Sequence, residues 1–221
     1  MLDLIKNKRV IFVGAATNLV GRGMGKEIDS FDVVCRPNGF HRREWRRQYK
    51  DDYGFKTDVM YFNVQHAREM RPLPARKCAA DGIKWFVFKA LSKADNALYS
   101  QYVKCRDISN IISVVHKHVF GALMGLFIIE DLLQFEPAEL HLTGIDFFIT
   151  KKPIFEVGNY QEYLDGYLPE KIEEQGNIIN IGKTDDGHNQ KTNTEYIYKL
   201  WKDGKIIMPD FITKVMCEIC Q

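Results

Sequence analysis

The stretch Gly14-Ala15-Ala16-Thr17-Asn18-Leu19-Val20-Gly21-Arg22-Gly23-Met24-Gly25 concentrates glycine beside hydroxyl and carboxamide side chains. Glycine lets a backbone approach a phosphate closely, with N–H groups as donors. The same composition also makes a plain tight turn. No Walker signature is present, and no G-x-G-x-x-G follows the preceding apolar run directly. A second loaded stretch, His41-Arg42-Arg43-Glu44-Trp45-Arg46-Arg47, packs four arginines and a tryptophan into seven positions, with Tyr49 beyond. As a helix it would spread positive charge on several faces, and as a loop it would be an anion clamp; Trp45 and Tyr49 could stack on bases, or the whole run could be a solvated charged face. His188 sits in the polar loop Asp185-Asp186-Gly187-His188-Asn189-Gln190, where an imidazole can move protons near neutral pH or simply meet solvent.

Metal chemistry finds little to work with. Cys217 and Cys220 form one Cys-x-x-Cys, but a tetrahedral zinc needs two more ligands and no second pair exists. There is no D-x-D, and Asp51-Asp52 and Asp185-Asp186 read as solvated loop acids. The expectation is no metal and no resident cofactor.

The elements that must position these residues follow from short apolar runs. Arg9–Gly14 reads as a buried first strand, with further strands at Asp32–Arg36, Asp58–Phe62, Lys84–Phe88, Glu139–Thr143 and Asn177–Ile181. Gly121–Phe135 is apolar almost all round and too long for a strand, so it reads as a helix buried against a sheet. Further helices fit Tyr160–Glu174 and Thr194–Lys202, and 206–208 closes the series. Strands alternating with helices predict an α/β domain with a mostly parallel sheet, whose ligands gather at the carboxyl ends of the strands.

Composition agrees with a single domain over residues 1–221, with 45% hydrophobic and 27% charged residues and a formal net charge of only +2. That charge advertises no global attraction to nucleic acid. Five cysteines at irregular spacing do not form a disulfide framework. The N-terminal apolar run is too short for a signal peptide. The longest apolar stretch falls far short of the ~20 residues that span a bilayer. A soluble, cytoplasmic protein, of a bacterium or a virus-infected cell, is the expectation.

The glycine-rich loop continues into Glu27-Ile28-Asp29-Ser30-Phe31-Asp32-Val33-Val34-Cys35-Arg36-Pro37-Asn38. Together they resemble the large sialylmotif of the animal-type sialyltransferases, roughly V-G-N-S-x-N-L-x-G-S-G-x-G-x-E-I-D-S-x-D-x-V-x-R-x-N, matched in register without a gap. Gly121 through Phe147 is similar to the small sialylmotif, with Gly121, the apolar helix, Glu139 and Gly144 in place. Lys56–Phe62 sits where the family has a threonine-rich segment ending in an aromatic strand. His188 with Glu195 resembles the very small motif, H-x4-E, although Glu195 stands seven residues on rather than five. The family's first asparagine is Ala15 here, and its P-S-T-G is His118-Val119-Phe120-Gly121. Two cysteines that the family commonly joins are Val10 and Pro137.

The resemblance implies a Rossmann-like sialyltransferase fold, α/β with helices flanking the sheet. It implies an inverting, metal-independent glycosyltransferase using a CMP-activated sugar: sialic acid, or a Kdo-like acid or pentose. Donor contacts carry over to Gly14, Thr17, Asn18, Arg36, Asn38, Gly121 and Gly144, and the general base to His188. Asn18 and Asn38 would meet the nucleotide, or serve only as turn residues. Gly121 would bring a helix N-terminus to the phosphate, or pack that helix closely. His116 and His118 stand second as stabilisers of the leaving phosphate. The acceptor is a glycan hydroxyl or, on the strength of Arg42, Arg43, Trp45 and Arg46, a hydroxylated base in DNA. A degenerate nucleotide-binding module without activity is the third reading, prompted by Ala15 and Val119-Phe120.

Overall fold

The computed structural model describes residues 1–37, 43–63, 72–119, 122–147 and 190–220. In Arg9–Val13 (β1), Val10 and Phe12 pack into one core and Ile11 and Val13 into another. Val33–Arg36 (β2), Val59–Phe62 (β3) and Trp85–Phe88 (β4) divide their side chains in the same way. Burial on both faces is the condition of a strand inside a parallel sheet. With Lys104–Asp107 (β5) and Glu139–Thr143 (β6) they form a six-stranded sheet of order β5-β4-β3-β2-β1-β6. Every pairing in it is parallel.

Among the described residues the helices are Leu2–Ile5 (α1), Gly25–Asp29 (α2), Arg43–Gln48 (α3), Lys50–Tyr53 (α4), Pro72–Ala80 (α5), Lys93–Tyr99 (α6), Ser109–His116 (α7), Met124–Leu133 (α8), Gln190–Lys202 (α9) and Asp210–Ile219 (α10). One core joins the sheet to Ile111 and Val115 of α7, Leu126 and Phe127 of α8, Ile197 and Leu200 of α9, and Ile212 and Met216 of α10. The other joins it to Ile28 of α2, Tyr53 of α4, Cys78 of α5 and Tyr99 of α6. This is the α/β arrangement with a parallel sheet that the strand and helix alternation predicts, and the Rossmann-like fold that the resemblance implies.

Some elements depart from expectation. The buried helix starts at Met124 rather than Gly121, because Leu123 is extended (φ −76°, ψ 160°). The helix of the last motif starts earlier, at Gln190. Residues 206–208 make an isolated parallel bridge through Ile207 to His141 rather than a full strand. β5 and the helices α1, α2, α4, α5, α6, α7 and α10 are additions to the predicted set. The proposed helix Tyr160–Glu174 and strand Asn177–Ile181 lie outside the described residues. No helix among the described residues is long and apolar enough to cross a membrane.

Candidate functional site

The order of the sheet fixes where a ligand can enter. From β1 the chain works outward through β2 to β5, then returns to lay β6 on the other side of β1. The connections after β1 and β6 therefore diverge, and the crevice between them is the topological switch point where open α/β sheets bind ligands. Val13 is in register with Thr143, so Gly14 and Gly144 leave the sheet side by side. Gly14 N–H donates to Thr143 O at 2.8 Å and Ala16 N–H to Gly144 O at 2.8 Å. A Cβ on Gly14 would stand 2.3 Å from Gly144 O, and one on Gly144 2.6 Å from Gly14 O.

Immediately beyond, Thr17–Leu19 forms a single 3-10 turn. Asn18 Nδ2 donates across the crevice to Ile145 O at 2.6 Å. Asn18 Oδ1, Thr17 Oγ1 and Thr143 Oγ1 are buried with no hydrogen-bond partner among the described residues. An unpaired buried polar group costs about 1–3 kcal/mol, and three such oxygens gather around this one crossover. Gly14, Thr17, Asn18 and Gly144 are thus brought together as predicted candidates. Thr143 joins them unannounced: as the last residue of an apolar strand it carried no signal of its own.

The rest of the glycine-rich loop is not an open phosphate cradle. The carboxylate of Asp52 accepts from Gly21 N–H at 2.9 Å and Gly23 N–H at 2.8 Å. Asp52 is buried, which corrects its reading as a solvated loop acid. Gly25 packs against the backbone of Lys50 and Asp51, where a Cβ would lie 1.9 Å from Lys50 O. Asp29 does the same work on the other side, accepting from the backbone N–H groups of Phe55 and Lys56. Tyr53 hydroxyl closes the brace by donating to Ala16 O. The acidic residues of this block hold the loop in shape.

Two predicted contacts turn inward. Arg36 ends β2 but is fully buried, its Nη2 donating to Tyr53 O at 2.6 Å and its Nε to Thr57 Oγ1 at 3.1 Å. Its guanidinium secures the turn at 53–57 from inside. Arg46, expected on an acceptor-facing surface, is 1% exposed, paired with Asp81 and placed over the Phe55 ring. The arginine-rich segment is a helix, α3, to which Arg43 and Trp45 contribute backbone. Arg42, Asn38, Gly121 and His188 lie outside the described residues.

Because α8 runs antiparallel to the strands it links to β6, its N-terminus lies at the carboxyl edge of the sheet. Asn193 of α9 accepts there from Leu123 N–H at 3.0 Å, so the start of α9 also sits at this edge. His118 stacks on Tyr196, whose hydroxyl donates to Glu130 at 2.8 Å; burial and that carboxylate push the phenol pKa up. His116 lies 5.7 Å from the Phe127 ring. Among the described residues no group of three or more His, Cys, Asp or Glu is arranged to hold a metal ion.

No curated protein sequence matches the chain. The solved structure "Crystal Structure of a Mammalian Sialyltransferase" is similar in fold, with a TM-score of 0.57 at 16% identity over 92% of this chain and 69% of that one. A second, a mammalian sialyltransferase in complex with Gal-beta-1-3GalNAc-ortho-nitrophenol, gives 0.56 at 16% identity over 94% and 71%. The sequence model of glycosyltransferase family 29 (sialyltransferase) matches residues 5–119, just over half of the 221. That match spans both the glycine-rich loop and the braces that shape it, and the chain accordingly belongs to glycosyltransferase family 29.

Proposed function

We propose that this glycosyltransferase moves a sugar from a CMP-activated donor to a hydroxyl of a glycan, inverting the anomeric carbon and using no metal. The observation that carries the reading is the set of buried oxygens at the switch point that have no partner among the described residues: Asn18 Oδ1, Thr17 Oγ1 and Thr143 Oγ1. A carboxamide oxygen held by its own Nδ2 bond is a fixed acceptor, suited to a cytosine amine or a ribose hydroxyl. The two hydroxyls can accept or donate beside it.

In this reading the phosphate lies toward the amino end of α8, where backbone N–H groups and the helix dipole favour an anion. His188 takes the proton of the acceptor hydroxyl as that oxygen attacks the anomeric carbon. The bond from that carbon to the phosphate oxygen breaks, and CMP leaves with the electron pair. His188 precedes α9 by two residues, and Asn193 ties α9 to the start of α8, which supports its assignment as base. General-base help of this kind is worth roughly 10²–10⁴-fold. A glycan acceptor is favoured over hydroxylated DNA because Arg46 is committed to Asp81 inside the protein.

Calorimetric titration with CMP, using UMP and GMP as controls, tests the donor class. Selective CMP binding is expected. Equal binding of all three, or none, would remove the donor assignment.

A further inference from the structure

We infer that Arg22 is an anion clamp for the activated donor, gripping its phosphate or, in a sugar acid, its carboxylate. The inference rests on the proposed CMP-sugar reading and adds a donor-binding residue to it. Arg22 stands where the large sialylmotif has serine, in the same loop in which Ala15 replaces the motif's asparagine. The loop after β1 has lost a carboxamide and gained a guanidinium.

The backbone holds Arg22 at the apex of a rigid turn. Gly21 and Gly23 on either side have φ of 75° and 65°, the left-handed region that glycine enters without strain. Their N–H groups are bound by the two oxygens of one carboxylate, that of Asp52. Arg22 N–H itself donates to Leu19 O at 3.1 Å.

The side chain is fixed as firmly. Nε donates to Asn18 O at 2.6 Å, which keeps the guanidinium beside the residue proposed to meet the nucleotide. The guanidinium carbon lies 3.9 Å from the centroid of Phe211, at the start of α10. Stacking on one face and a bond at Nε leave the two terminal nitrogens without a partner among the described residues. Among the described residues Arg22 forms no ion pair, although its side chain is exposed.

The edge of those two nitrogens is the planar fork that binds carboxylate and phosphate in two parallel hydrogen bonds. A surface arginine ordinarily loses rotamer freedom when it grips an anion. Here Phe211 and Asn18 have already taken that freedom, so binding an anion orders little more. An arginine placed only for solubility would need neither contact.

The test compares wild type with Arg22→Gln and Arg22→Lys by calorimetry, using cytidine, CMP and CMP-sialic acid as probes. If the clamp holds the phosphate, Arg22→Gln weakens CMP by roughly 10- to 100-fold and leaves cytidine unchanged. If it holds the carboxylate, CMP is unchanged and CMP-sialic acid alone weakens by a similar factor. Arg22→Lys, which keeps the charge without the fork, falls between and supplies the comparison should the glutamine variant fold poorly. Equal binding of all three probes by wild type and variants would overturn the clamp. So would an equal loss for cytidine, which would make Arg22 only a support for Asn18. Wild-type protein that binds none of the probes overturns the CMP-sugar reading itself, a result distinct from either.

Discussion

Gly14 and Gly144 meet back to back where β1 and β6 release the chain, and no methyl group fits between them. A Cβ on Gly14 would come within 2.3 Å of a backbone oxygen, which cannot rotate away as a side chain would. Gly144 adds a φ of 62°, which a side chain resists. Gly14→Ala and Gly144→Ala are each expected to destabilise by about 1–3 kcal/mol in urea unfolding. Gly125 is the internal control: a Cβ there meets only Phe12, at 3.7 Å, inside a helix. Gly125→Ala should be neutral or stabilising by up to ~1 kcal/mol. Equal losses at all three positions would show that the Gly14–Gly144 contact is not special. Gly14 and Asn18 were legible because the motif block runs without a gap from the first strand. Asp52 and Arg46 were not, because each is buried by a partner about thirty residues away, and nothing local distinguishes a braced charge from a solvated one.

At the scale of the element, α8 carries its charge inward. Asp131 is fully buried, accepting from Tyr61 hydroxyl at 2.8 Å and paired with Arg106 at 2.8 Å. Burial raises its pKa from 3.8 to about 6, against the opposing pull of Arg106, Tyr61 and the N-terminal amine. The folded value lies above the unfolded one, so this group's stabilising contribution is full below pH 4 and lost as pH rises through 6. The span corresponds to about 3 kcal/mol. Asp131→Asn keeps an oxygen for Arg106 and an interaction with Tyr61 while removing the titration. The stability difference, wild type minus variant, should therefore fall between pH 4 and pH 7 in parallel urea series. A flat difference would mean that the carboxyl does not titrate there. The helix itself was readable from its length and apolarity, but Asp131 was not, because its partners lie on β3 and β5. β5 was missed for a related reason: Lys104-Cys105-Arg106-Asp107 has no apolar alternation, and pairing with β4 makes it a strand. α10 did carry a signal, with Ile212, Met216 and Ile219 buried at helical spacing.

Across the whole molecule, the switch point joins parts of the chain that are remote in sequence. Asn18 reaches Ile145 over 127 positions, and Arg22 rests on Phe211. A ligand seated there bridges the first loop to the segment after β6, and so binds only when the sheet has closed around β1. Such a ligand stabilises the fold by mass action, about 2.7 kcal/mol at a hundredfold excess over Kd. In a chain of this length that amounts to a rise in Tm of roughly 5–10 °C. CMP is expected to produce this shift and UMP to produce little. His188→Ala should keep the CMP-induced shift while losing turnover with CMP-sialic acid, because a base acts on the acceptor hydroxyl and not on the nucleotide. A wild-type protein that shows the shift but no turnover with any CMP sugar would be the degenerate binder that Ala15 and Val119-Phe120 bring to mind. If His188→Ala loses both shift and turnover, the residue belongs to the donor site, and the base must be sought elsewhere along the carboxyl edge. His116 and His118 are then the next substitutions to make, since both lie beside α8 and its contact with Tyr196.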